Sequence, residues 1–476
     1  MTTSSMAKPV KYFEIARQIE SQILSKTLLH GAKLPSIREL AIKYSVAKNT
    51  VISALQQLES KKLVVAAPKK GYFVSYQSTT KRIPKLLISP LTVQAVNMPD
   101  VFYDVMEKGA AFDILATPTN FHDHNKLSEL NRYIGKSLRQ KSAAHANYYD
   151  KPLGNDYLRE QIALRYQQRE CNFNREQLCI TSGCQHALFI ALLSCCKPGD
   201  NIAVETPTFY GVLRLLEQLN LNIIEIPSSI ETGINTKELT NALSKWNISA
   251  CIVTPCFATP AGSCMTDTQK QSMVLLANEY DFAIIEDDIY GDIGFDQSAI
   301  KPIKAFDTED RVILCGSFSK SLSRDLRLGW ISAGRWHKEA VRFKLASQLA
   351  NSQSDQEGVA QFMMHGHYRR HLDQFRVKLA QQQAQLIDAI EQYFPKDCAY
   401  SIPKGGLCLW LELNNNVNTD VLYQQARKLN IHLTPGLLFS SQGFYNHHLR
   451  LSYNHPITNE RLTALKQLAM LIKKFN

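Results

Sequence analysis

Apolar residues recur at helical spacing at Tyr12, Ile15, Ala16, Ile19, Ile23 and Leu24, which predicts a helix with one buried face. After Gly31 and Pro35, the run Ser36-Ile37-Arg38-Glu39 has the form of a capping box. Ser36 and Glu39 satisfy each other's amides, and Leu40 and Ala41 continue a second helix that ends near Tyr44. A third helix begins at Ala47-Lys48-Asn49-Thr50-Val51 and turns Leu55 and Leu58 inward. Val64-Val65 and Tyr72-Phe73-Val74 then flank Pro68-Lys69-Lys70-Gly71, which predicts a β-hairpin with a basic tip. Three helices and such a hairpin make a winged helix-turn-helix.

The pattern changes downstream. Ser75 to Pro84 is polar and reads as a connector, while Leu91 to Met106 is apolar enough to predict a helix or two docked on a larger body. From about Phe112, short β-branched runs alternate with helical patterns, which predicts a parallel sheet covered by helices. The expected strands include Cys179–Thr181, Ile202–Val204, Ile223-Ile224, Cys251–Val253, Ala283–Ile285 and Ile313-Leu314. The expected organisation is a winged helix over 8–76, a linker with docked helices over 77–110, and an α/β body over 111–476. Its smaller C-terminal α+β part starts at about residue 370.

Charge sharpens this division. The chain of 476 residues carries a net charge of +11, and residues 1–75 hold 12 Lys or Arg against 4 Asp or Glu, so +8 lies at one end. A basic end on a nearly neutral body predicts a polyanion partner for that end, namely double-stranded DNA. Lys48, Asn49 and Thr50 occupy the first turn of the third helix, where side chains reach base edges. Arg38, Lys69 and Lys70 are placed to hold phosphate, with Ser36 and Gly71 beside them on the same surface. No apolar run is long enough to span a bilayer and no signal-peptide pattern precedes Lys8, Lys11 and Arg17, so a cytoplasmic protein is expected. The 11 cysteines are scattered through apolar runs without metal spacing, which predicts reduced, buried thiols rather than disulfides or a metal site.

The candidate chemistry falls at the expected carboxyl ends of strands, where ligands bind in such sheets. Thr181-Ser182-Gly183-Cys184-Gln185-His186 is a small-residue turn opening a helix, and free amides at Gly183 and Cys184 make an anion site. Phe209 offers an aromatic face after the next strand. Asp287 follows an apolar strand and needs a cationic partner. In Cys315-Gly316-Ser317-Phe318-Ser319-Lys320, a desolvated Lys320 would become a carbonyl nucleophile, and Ser317, Ser319 and Arg327 suit a phosphate.

The N-terminal stretch resembles the GntR type of DNA-binding domain through Leu34-Pro35-Ser36-Ile37-Arg38-Glu39-Leu40-Ala41 and Asn49-Thr50-Val51; Ala47-Lys48 stands where that family usually has Ser-Arg. From about Ala111 onward, the motifs around Ser182, Phe209, Thr259-Pro260, Asp287-Asp288-Ile289-Tyr290 and Lys320 resemble fold-type I enzymes that use pyridoxal 5′-phosphate (PLP), the aspartate-aminotransferase type. The resemblance implies that Lys320 holds PLP as an aldimine and that Asp287 faces the pyridine nitrogen. Tyr290 would bond the ring hydroxyl and Phe209 would stack on the ring. Ser182, Gly183, Cys184, Ser317, Ser319 and Arg327 would hold the phosphate. It further implies that Tyr149 reaches the phosphate of a partner subunit in a homodimer, and that Arg450 in Leu449-Arg450-Leu451 grips a carboxylate. Thr259 stands where many relatives have Asn toward the ring hydroxyl. Ser323-Arg324-Asp325 replaces a common Ala-Pro-Gly and sets an additional Arg324 toward the phosphate or toward solvent.

Together the two ends resemble the MocR/GabR regulators, which implies a PLP-dependent transcriptional regulator sensing an amino acid or amine through the Lys320 aldimine. The alternative is an active aminotransferase carrying a DNA-binding domain. A DNA-binding dimer without a cofactor fits poorly with Lys320, Asp287 and Arg327 together.

Overall fold

The computed structural model of the chain describes residues 11–24, 27–28, 31–60, 63–67, 71–75, 82–86, 89–107, 109, 113–115, 127–140, 148–296 and 299–475. The chain divides into two compact units, Met1–Lys81 and Arg82–Asn476. No helix among the described residues is long and apolar enough to cross a membrane.

In the first unit, α1 (Lys11–Leu24), α2 (Ile37–Lys43) and α3 (Lys48–Ser60) close around Ile15, Ile19, Ile23, Leu40, Val51, Leu55 and Leu58, the residues whose spacing predicted those helices. The capping box forms: Glu39 N–H donates to Ser36 Oγ at 3.2 Å, and Ser36 N–H donates to Glu39 Oε2 at 2.7 Å. β1 (Val64–Ala67) and β2 (Gly71–Val74) pair antiparallel, Val64 opposite Val74. Lys33 bridges to Phe73 and so adds a basic residue at the hairpin, which no apolar periodicity announces.

The second unit starts by laying its leading segment over its own sheets. Tyr400 N–H donates to Arg82 O at 3.0 Å, and Lys85 N–H to Glu412 Oε2 at 2.7 Å. The helical expectation for Leu91–Met106 holds only for α4 (Val101–Glu107), because Gln94–Ala95 (β3) extends the edge of a sheet instead. That edge offers unpaired amides and carbonyls, and a short strand satisfies them where a helix cannot.

The main sheet contains β3, β4 (Cys179–Thr181), β5 (Asn201–Thr206), β6 (Asn222–Ser229), β7 (Gly233-Ile234), β8 (Ala250–Val253), β9 (Ala283–Asp287), β10 (Val312–Ser317) and β11 (Gly329–Ser332). Its order is β3-β6-β5-β8-β9-β10-β11-β4, with β7 beside β6. Every strand expected from the sequence is present, and β6, β5, β8, β9 and β10 run parallel. β11 was not expected and is antiparallel to both neighbours. A parallel return needs a crossover, usually a helix, whereas the turn Phe318–Leu328 brings the chain directly back beside β10. Lys320 lies in that turn.

The helices α5 (Ser128–Gln140), α6 (Asp156–Gln167), α7 (Cys184–Cys195) and α8 (Tyr210–Gln218) lead toward or leave strand ends. A second sheet, ordered β12 (Ala399-Tyr400), β13 (Cys408–Glu412), β15 (His448–Ser452) and β14 (Thr434-Pro435), is antiparallel throughout and places Arg450 opposite Trp410 and Thr434.

Gly329, at the start of β11, allows three backbones to meet. A Cβ there would stand 2.6 Å from Gly183 C and 2.7 Å from Gly316 O, with neither partner free to swing away. Gly329→Ala is therefore expected to destabilise the second unit by about 1–3 kcal/mol, measured as a fall in the urea midpoint; an unchanged midpoint contradicts this packing.

Candidate functional site

The carboxyl ends of β9 and β10 are adjacent, Cys315 lying opposite Asp287 in parallel register, and this brings Asp287 and the Lys320 turn to one end of the sheet. Asp287 is 4% exposed, and its Oδ1 accepts from Cys184 Sγ at 3.0 Å and from Ile289 N–H at 3.2 Å. Among the described residues no donor is found on Oδ2. Burial raises this carboxyl to about 6, against the pull of those two hydrogen bonds and of Lys320.

Behind Asp287 lies a polar layer that the sequence reading did not identify. Asp288 accepts both guanidinium ends of Arg169, one at 2.9 Å, and the Tyr166 hydroxyl at 2.8 Å; Trp330 Nε1 donates to Tyr166 Oη at 3.2 Å. Trp330 also lies against Gly316, where a Cβ would meet its ring at 2.5 Å. The two neighbouring acids are thus divided: Asp288 is ion-paired inside the body and Asp287 faces the site.

Lys320 is pushed down to about 7, first by burial and then by the positive charges of Arg324 and Arg450, with Cys408 and Asp287 opposing. At neutral pH its Nζ is a neutral amine in a large fraction of molecules, the form that attacks a carbonyl. Its turn is fixed from behind. Tyr368 Oη donates to Asp292 Oδ2 and accepts from Ser321 Oγ, both at 2.8 Å, and His371 Nε2 lies 2.8 Å from Ser321 O.

At the start of α7, Gly183 adopts φ +93°, a conformation favouring glycine, and a Cβ there would meet Arg327 Nη2 at 2.8 Å. Arg327 donates to Ser182 O at 2.8 Å and to Ser319 Oγ at 3.4 Å, while its own side remains exposed. Several expected phosphate ligands have other partners. Ser182 N–H donates to His186 Nδ1 at 3.1 Å, and its hydroxyl donates to Gln348 Oε1 at 2.6 Å. The Ser317 hydroxyl donates to Leu328 O at 2.9 Å, and the Cys184 thiol faces Asp287. The amides opening α7, with Arg327 and Ser319, are the groups here whose chemistry suits an anion.

Arg450 is 6% exposed, donates to Thr259 Oγ1 at 3.3 Å and to Thr434 Oγ1 at 3.4 Å, and lies 5.8 and 5.7 Å from the ring centres of Tyr210 and Phe439. Thr259, read from the sequence as facing a cofactor hydroxyl, thus holds the arginine; it also lies 3.4 Å from Cys408 Sγ. Tyr290 is buried, which pushes its phenol well up and keeps it a proton donor. Phe209 is half-buried and its ring covers Gly211. Cys408, Tyr210 and Arg324 also border the site. The sequence reading passed over Cys408 and Tyr210 because a cysteine in an apolar strand and a tyrosine opening a helix look like core residues. Tyr149 is 78% exposed and sits apart from this cluster in its own chain.

In the first unit, Arg38, Lys48, Asn49 and Gly71 are exposed and Thr50 half-buried, Lys48–Thr50 forming the first turn of α3. Ser36 is occupied as the α2 cap. Lys69 and Lys70 lie outside the described residues.

Comparison with known proteins agrees with both units. Residues 11–74 match the family of bacterial regulatory proteins, gntR family, and residues 119–465 match aminotransferase class I and II. The HTH-type transcriptional regulator YjiR of Escherichia coli K12 is 33% identical over 464 residues, covering 96% of this chain and 98% of that protein. The regulator NorG of Staphylococcus aureus is 26% identical over 456 residues, covering 93% and 100%. In fold, the chain is similar to the kynurenine aminotransferase of Pyrococcus horikoshii, with a TM-score of 0.71 and 24% identity over 79% of this chain and 95% of that one. The chain therefore belongs to the MocR-like HTH-type transcriptional regulators, in which a gntR DNA-binding domain precedes a fold-type I aminotransferase domain.

Proposed function

We propose that this regulator binds PLP at Lys320 and senses an amino acid or amine there, the second unit acting as receptor and the first as reader of a double-stranded operator. The observation that carries this reading is a half-buried lysine with a pKa of about 7 at the same end of the sheet as a buried carboxylate, Asp287, held through one oxygen by Cys184 and Ile289. Such a pair suits a cofactor with a carbonyl and a basic ring nitrogen.

When bound, PLP supplies an electrophilic carbonyl carbon and an electron-withdrawing ring. Lys320, whose amine is pushed down to about 7, would hold the cofactor through its carbonyl, where an incoming amine would compete with it. Asp287 would face the ring nitrogen, Tyr290 would donate to the ring oxygen, and Phe209 would cover the ring. The Gly183 and Cys184 amides, Arg327 and Ser319 would hold the phosphate, with Ser182 and Ser317 orienting these groups. Arg450 takes the effector's carboxylate as a planar fork, aimed by Thr259 and Thr434. Tyr149, exposed in its own chain, suits a role at the partner's phosphate in a homodimer. The effector shifts DNA binding only through unequal affinity for two arrangements of the protein. Turnover of the amine by transamination is the alternative reading, favoured by the same Asp287 and Lys320.

Three outcomes test these assignments. Purified protein with PLP should show a visible absorbance band that Lys320→Ala abolishes, and uptake of PLP by the cofactor-free protein should accelerate as pH rises through about 7. Acceleration only near the ordinary lysine pKa of about 10.4 would place Lys320 in water instead. Arg450→Ala should keep the band but weaken the response to an amino acid about tenfold to a hundredfold, while a carboxylate-free amine is less affected; equal responses would remove Arg450 from the effector. In gel shifts, Arg38→Ala with Lys48→Ala should abolish operator binding without changing the band, and Arg38→Ala alone should lower the salt slope by about one; unchanged binding would remove the α3 assignment.

A further inference from the structure

Cys256 and Cys264 face each other across the hairpin that carries Thr259, an isolated antiparallel bridge. Met265 N–H donates to Pro255 O at 2.9 Å, while Cys264 N–H goes elsewhere, to Glu231 O at 2.9 Å. The pair is thus of the non-hydrogen-bonded kind, in which opposed side chains are closest, with Cα atoms about 4.5 Å apart. That separation falls inside the disulfide range of about 4.4–6.8 Å. The two side chains therefore face each other across the bridge. Cys264 is half-buried, whereas Cys256 is fully buried.

The two sulfurs differ chemically. Cys264 is held below the ordinary thiol range by the neighbouring Cys256 thiol, against burial, with Lys270, the Phe257 N–H and Lys404 adding to the pull. Cys256 is pushed up by that same neighbour and by burial. The buried thiols Cys171, Cys179, Cys251 and Cys315 are all pushed up by burial. A partly exposed thiolate beside a second thiol is the arrangement of a peroxide-reactive pair.

We infer that Cys256 and Cys264 form a redox-modification site, closing to a disulfide when a hydroperoxide reaches Cys264 and altering the hold of the hairpin on Arg450. Cys264 Sγ attacks the terminal peroxide oxygen: an S–O bond forms, the O–O bond breaks, and the departing alkoxide leaves as the alcohol after taking a proton. Cys256 Sγ then attacks Cys264 Sγ: the S–S bond forms, the S–O bond breaks, and water leaves. Two thiols lose two electrons and two protons, and the hydroperoxide becomes one alcohol and one water.

The loop so closed contains Thr259, whose hydroxyl accepts from Arg450, and Pro260, whose carbonyl accepts from Cys408 Sγ at 3.6 Å. It also contains Phe257, wedged against Gly405, where a Cβ would meet its ring at 2.7 Å. A change in the bridge is therefore passed to the arginine through the Arg450–Thr259 hydrogen bond. This coupling rests on the reading of Lys320 and Arg450 given above; the cross-link does not.

The full-length protein treated with hydrogen peroxide, alkylated and digested should yield a peptide pair joined through Cys256 and Cys264 and lighter by two hydrogens. The pair should be absent in Cys264→Ser and retained in Cys398→Ser. Two fully alkylated thiols, sulfinic acid on Cys264 alone, or the same linked mass in Cys264→Ser would overturn the site. With PLP bound, the oxidised protein should need about fivefold or more additional amino acid for half its absorbance response, reversed by a thiol reductant. A linked pair with an unmoved midpoint would overturn the coupling while leaving the modification in place.

Discussion

The desolvation of Lys320 is the constraint on which the site depends. An ammonium loses hydration when it is buried, and Arg324 and Arg450 add like charge, so the amine is driven toward its neutral form. Asp287 opposes this in part, but its own burial raises it as well. Burial thus moves both groups toward neutrality, the lysine to about 7 and the carboxyl to about 6.

Holding such groups in place needs rigid surroundings. Asp288, one residue from Asp287, is fixed by Arg169 and Tyr166, so β9 ends in a defined position and Asp287 must point to the other side. Tyr368 and His371 do the same for Ser321, the residue after Lys320. The close approach of Gly183, Gly316 and Gly329 brings the opening of α7 to the Lys320 turn without intervening side chains. The result is a set of functional groups whose geometry is set by packing behind them as well as by contacts among themselves, such as Cys184 with Asp287 and Arg327 with Ser319.

The second sheet contributes differently. Arg450 stands on β15, far along the chain from Lys320, and reaches the site because Thr259 and Thr434 receive its guanidinium. Thr259 therefore links the hairpin of Cys256 and Cys264 to the arginine. The Thr259 contact with Arg450 depends on β15 lying alongside and is invisible in the local motif.

Periodicity alone determined the helices of the first unit and the β-branched strands of the second, since burying one face of a helix or both faces of a parallel strand imposes a spacing on apolar residues. The Ser36–Glu39 cap was legible for the same reason: its partners lie three residues apart. The resemblance carried by the motifs named Lys320, Asp287 and Arg450 as candidates for one site. Tertiary structure alone decided the antiparallel return of β11, the edge strand Gln94-Ala95, the engagement of Ser182 and Ser317 by neighbouring groups, and the parts taken by Cys408, Arg169 and Cys264. Each of these depends on a partner distant in sequence, and a hydrogen bond, an ion pair or an opposed thiol leaves no local period by which a single chain can be read.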